Sequence, residues 1–147
     1  MATTYDFTDG SIAGQPVMTQ TTLRENETTI LRHIIDTTVQ ALDASETDVA
    51  NCLIIPANTT VLTAWIRPIT VESTASCVVD LGITGGNTDA FGDGVSLSTG
   101  SVVVGGLWEP TLFASAGTID LLMTSTVDAD TAIFEVFALC LKHVDTY

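Results

Sequence analysis

The chain has 147 residues, with eighteen acidic side chains against four basic ones and a formal net charge of −14 at pH 7. That length allows one domain with a core large enough to need no metal or disulfide staple. So few Lys and Arg exclude nucleic acid and anionic membranes as partners, since both are held by basic clusters. Hydrophobic residues make up 46% and mean hydropathy is +0.40, which excludes a disordered chain. The excess points to a large core or to apolar surface covered by another subunit.

Residues 1–27 are rich in Thr, Gln, Asp and Gly, with scattered apolar side chains. They are expected to form an extended N-terminal arm with little core of its own, ahead of one domain over 28–147. Tyr5, Phe7, Val17 and Met18 are its candidate interface residues. The opening "MATTYDFTDG" is polar and acidic, unlike a signal peptide. Since no apolar run approaches the roughly 20 residues that span a bilayer, a soluble protein made in the cytosol is expected.

From Thr28 the chain reads as strands, because Thr, Val and Ile favour the pleated backbone. "TTILRHIIDTTVQAL" has Leu31, Ile35, Val39 and Leu42 at helical spacing, but its β-branched content favours a strand. "TVLTAWIRPITV" contains Pro68, which cannot donate to a ladder, so this strand is expected at an edge or bulged there. Trp65 alternates with apolar neighbours and is read as core.

"ASCVVDLGIT" sets Cys77, Val79 and Leu81 on one face, and "TIDLLMTSTV" does the same with Ile119, Leu121 and Met123. "TAIFEVFALCLKH" is apolar on both faces, which places it centrally in a sandwich or at a subunit interface. "CLIIP", "SVVVGG" and "PTLFAS" bring the count to about eight strands. The reading is all-β: a single jelly-roll-like β-sandwich of about eight strands with an extended N-terminal arm.

"DLGITGGNTDAFGDGV", residues 80–95, is the stretch most suggestive of chemistry. It has no lysine for a phosphate loop and opens no helix for a dinucleotide fingerprint. Asp80, Asp89 and Asp93 are oxygen donors suited to calcium, but their spacing fits no EF-hand. A structural turn is expected, with Gly85 and Gly86 at positive φ and Phe91 pinning the loop. The histidines, His33 and His143, form no zinc motif, and Cys52, Cys77 and Cys140 are expected as buried free thiols. Cys140 and His143 lie three apart on a strand and so point to opposite faces. No catalytic, cofactor or metal residue is assigned. Trp108, in "GGLWEP", is a further candidate anchor for a partner.

The run "LIIPANTTVLTAWIRPITVESTASCVVDLGITGGNTDAFGDGV" resembles a family of small phage virion proteins. The shared pattern is an apolar strand ending in Pro-Ala-Asn-Thr, a valine-rich strand, a strand with Asp-Leu-Gly, and a Gly-Gly, Asp-rich, Asp-Gly loop. "AGTIDL" at 116–121 and the aliphatic closing strand also match, so the likeness covers roughly residues 28–143. Pro68 departs from it, interrupting a strand that runs on in the family. The resemblance implies a head decoration, or cement, protein on a β-sandwich, usually a homotrimer, bound to the major capsid protein on the virion surface, without catalytic residues. The alternative is a fibre or tail-associated jelly roll that recognises a glycan or another virion protein.

Overall fold

A computed structural model describes residues 1–18, 23, 27–100, 103–104 and 110–143. Among the described residues there are ten strands: β1 (Thr4–Asp6), β2 (Thr28–Asp36), β3 (Val49–Ile55), β4 (Thr59–Thr70), β5 (Val78–Gly82), β6 (Gly92–Ser96), β7 (Val103–Val104), β8 (Thr111–Phe113), β9 (Gly117–Met123) and β10 (Ile133–Lys142). The two beyond the expected eight are β1 and β6. Neither has a side-chain alternation to announce it: β1 is three residues long, and β6 begins Gly-Asp-Gly.

The strands form two sheets, here called by their central members. The β9 sheet has the order β1-β3-β9-β5-β6, and the β10 sheet runs β2-β10-β4, with β7 and β8 both on the far edge of β4. The pairings β2·β10, β3·β9, β4·β8 and β5·β6 are those of one long antiparallel hairpin. The pairings β10·β4 and β9·β5 roll that hairpin onto itself. This is jelly-roll winding, with β1 added in parallel on β3.

The core is the space between the sheets. Phe134, Val136, Ala138 and Cys140 of β10 are buried and face Ile119, Leu121 and Met123 of β9. On β2 the buried row is Leu31, His33 and Ile35, so strand periodicity prevails over the helical spacing. His33 Nε2–H donates to the Phe7 carbonyl at 2.7 Å. Burial lowers its pKa from 6.5 despite that bond. β4 is interior yet accommodates Pro68: Phe134 pairs with Pro68 and Ile133 with Thr70, so Ile69 is the extra residue of a bulge.

The N-terminal segment is anchored to this body. Phe7 and Met18 are buried members of the core, as is Leu23. Thr3 N–H donates to Asp48 Oδ1 at 2.9 Å and Phe7 N–H to the Asn51 carbonyl at 3.2 Å, so β1 shields the edge of β3. The physical reason is Phe7: a ring this large gains about 2–3 kcal/mol on burial, enough to hold a short polar segment in place.

The glycine-rich stretch is a folded connection. Phe91 is buried and its N–H donates to the Leu81 carbonyl at 2.8 Å. Gly85 takes a positive φ of 80°, whereas Gly86 does not. Gly82 is required for space: a Cβ there would run into the backbone of Asn87 and Thr88. Thr84 N–H donates to Asp120 Oδ2 at 3.0 Å and Gly94 N–H to Asp80 Oδ1 at 2.9 Å.

Carboxylates staple other turns. Glu72, buried after β4, accepts the N–H groups of Asp130 and Thr131 at 3.0 Å each, the Thr131 hydroxyl, and Thr74 N–H at 3.3 Å. Burial alone would raise its pKa, but the bonds from Thr131, Thr74 and Asp130 together outweigh burial and hold it at about 2.

Two outcomes are expected. Phe7→Ala should destabilise the protein by about 3–5 kcal/mol in urea unfolding, as loss of a core ring does; a change within 0.5 kcal/mol, roughly what a surface substitution gives, would show a free arm. Glu72 contributes stability that is complete above its ordinary pKa of 4.5 and is lost as pH falls towards about 2. Glu72→Gln should therefore lower the melting temperature at pH 7 and flatten its decline between pH 4.5 and 2; parallel melting-temperature profiles would contradict this.

Candidate interaction surface

Side chains alternate across a strand, so the pairings state what the outside of the β10 sheet carries. One cross-strand row is Trp65–Phe137–Arg32, the next is Arg67–Glu135–Ile34, and on the other side lies Thr63–Leu139–Ile30. Leu141 and Ile133 extend the apolar column along β10, and Leu112 of β8 lies beyond Thr60 in the row of Leu141. Ile30 and Leu112 are 55% and 60% exposed, whereas Trp65 and Phe137 are half-buried.

Trp65, expected in the core, thus stands on the outer face. Its ring stacks on Phe137 with centroids 5.2 Å apart and planes at 6°. Such a pair adds about 0.5–1.5 kcal/mol beyond burial and holds both rings in one orientation. The signal for it lay in β10, whose second apolar row needs a cover of its own. The Arg67 guanidinium lies 6.0 Å from the centre of the Phe137 ring. It also pairs with Glu135, Nε donating to Oε2 at 2.7 Å. Arg32 reaches Glu135 Oε1 from the other side at 3.7 Å. Glu135 is almost wholly buried beneath these two exposed guanidinium groups.

The charge pattern of this sheet differs from that of the other. The described basic side chains, Arg32, Arg67 and Lys142, all belong to its strands. Its outer face carries Glu135 in the middle and Asp36 at the end of β2. Outside the β9 sheet one row runs Asp6–Asn51–Asp120–Gly82, with Asp120 buried, and the next runs Thr4–Val49–Leu122–Asp80.

Of the residues proposed from sequence, Tyr5 is half-buried in β1, Phe7 and Met18 are interior, and Val17 is 61% exposed. Val17 borders a cleft of about 480 Å³ along β2, lined also by Pro16, Ile30, Arg32 and Ile34. Trp108 lies outside the described residues. Asp80, Asp89 and Asp93 do not gather into a site; among the described residues no three His, Cys, Asp or Glu side chains could hold a metal ion.

The thiols are buried and free. Burial pushes Cys140 up to about 12 and, with nearby carboxylates, Cys77 up to about 11; Cys52 is also raised, first by burial. A thiol protonated at neutral pH is no nucleophile. His143 Nε2 lies 2.7 Å from the Thr60 hydroxyl, apart from the buried Cys140 thiol, which approaches the Ala138 carbonyl.

The chain matches no protein-family model and no curated protein. Its fold is shared with chains of three phage particles. A chain of the cyanophage Pam1 capsid asymmetric unit is 11% identical with a TM-score of 0.57, over 88% of this chain and 95% of that one. A chain of the capsid of Ralstonia phage GP4 is 11% identical at 0.54, over 96% and 100%. A chain of the acidic stable capsid structure of Helicobacter pylori bacteriophage KHP30 is 9% identical at 0.53, over 80% and 89%.

Within the surface the two arginines are unequal. Removing Arg67 takes from Glu135 its close, charged hydrogen-bond partner, a loss of about 1.5–3 kcal/mol. Arg32 is a distant, exposed partner whose removal costs at most about 1 kcal/mol. Urea unfolding of Arg67→Ala and Arg32→Ala should give that order; equal effects would mean that Glu135 is not carried by Arg67.

Proposed function

We propose that this chain is a structural protein of a tailed-phage particle, a decoration or cement protein seated on the outside of the head. There it would bridge neighbouring major capsid subunits as a homotrimer and strengthen the shell against internal pressure. The observation that carries the reading is the shared wound sandwich: it matches chains from three phage capsid structures over 80–96% of this chain. The particular strand-and-turn pattern of residues 53–94 supports the decoration role among virion roles. So does the chemistry of the surface. A protein with net charge −14 does not bind packaged DNA, so it suits an exterior position. Its functional equipment is a rigid sandwich with an apolar sheet face, which suits contact between proteins. Symmetry repeats each modest contact, and multivalency turns those contacts into firm attachment.

The test is add-back. Heads assembled without the protein should bind the purified chain saturably, and the loaded heads should withstand higher temperature before releasing DNA. Absence of binding to heads, with specific hits on a glycan array, would move the chain to a recognition role on a fibre or tail.

A further inference from the structure

We infer that the outer face of the β10 sheet binds a second copy of this chain head-to-tail, docking on the acidic surface of its neighbour. This rests on the reading of the chain as a self-associating head protein and states which surface makes the contact.

Three observations carry it. The first is apolar content: Ile30, Ile34, Phe137, Leu139 and Leu112 share one face with the Trp65 ring. The second is area. Four strand widths of about 4.8 Å and ten residues of about 3.3 Å span about 600 Å², close to what each partner gives to a specific interface of modest size. The third is charge. The exposed ionic groups at the centre of the face are the guanidinium groups of Arg32 and Arg67, with Glu135 beneath them. Every other copy offers carboxylates of opposite sign outside the β9 sheet, at Asp6 on one edge strand, at Asp80 on β5 and at the exposed Asp93 on the other edge strand.

The same charges decide the geometry. Two copies meeting face to face about a two-fold axis through the centre of the face would bring two cationic centres together. A face meeting the acidic side of the next copy sets unlike charges together around an apolar centre. Such a contact is heterologous, and heterologous contacts close into rings when the rotation permits. The cleft along β2, open beside Val17 and Ile30, would receive a side chain of the neighbour at the rim.

Native mass spectrometry of the full chain tests this, using wild type and the double variant Ile30→Glu/Arg32→Glu. Both positions are exposed on the outer face, so the variant is expected to keep the wild-type circular dichroism spectrum. If it misfolds, Leu112→Glu on β8 takes its place. Wild type should be a ring, a trimer on the present reading, and the variant a monomer, with at least a tenfold weaker association. A variant retains its acidic side, so an isotopically labelled mixture should contain a species in which wild type docks on variant. A monomeric wild type, an assembled variant, or a mixture lacking that species would each overturn the inference. If the variant still assembles but no longer binds heads, the face belongs to the shell contact, and the decoration reading survives while this one falls.

Discussion

The position of β10 between β2 and β4 is the constraint on which the structure depends. Strand β10 is formed by residues 133–142, near the end of the chain, yet it supplies the ladder that joins strands formed more than sixty residues earlier. Without it β2 is parted from β4, and the core loses the inner row from Phe134 to Cys140. Strand β9 does the same between β3 and β5. The rolled hairpin is therefore held by its last two long strands, and both must be apolar inward for the sheets to close on one core. That β10 is also apolar outward is a separate matter: closure needs one row only.

The second row separates this molecule into unlike sides. Stacking of Trp65 on Phe137 and pairing of Arg67 with a sunken Glu135 make the outside of the β10 sheet rigid, apolar and locally cationic. The outside of the β9 sheet carries the carboxylates of Asp6 and Asp80 beside the apolar pair Val49–Leu122. A net charge of −14 thus hides an asymmetry that total charge cannot express. Long-range repulsion between copies is screened within about 8 Å at physiological salt, so contact chemistry decides association.

Acidity also has a structural use. Asp6, Asp9, Asp36 and Asp43 each accept the N–H two residues on, and each is followed at that position by Ser or Thr. These are side-chain-capped turns, favoured because a carboxylate meets a backbone donor without a second strand. Asp48, Glu72 and Asp128 do the same over long sequence separations. An acidic chain with short turns can therefore satisfy its loop backbone with the same residues that give it its negative charge.

The sequence by itself determined the strands of the wound body other than β6, because period-two alternation reports directly which face of a strand is buried. It marked Pro68 as the place of an edge or a bulge, since a residue without an N–H cannot donate to the ladder, and it marked a turn after β5 by its glycines and Phe91. Tertiary structure decided the rest. Strand order is invisible to periodicity, so jelly-roll winding and the central places of β9 and β10 emerge only from pairing. Whether Phe7 is an anchor or a free contact depends on a cavity built by distant strands. Trp65 sits among apolar neighbours on either face, and only register with Phe137 and Arg32 tells that it points outward. The described basic residues are scattered along the chain at 32, 67 and 142. Pairing of three strands brings them to one sheet, because antiparallel register, not sequence distance, sets which side chains meet.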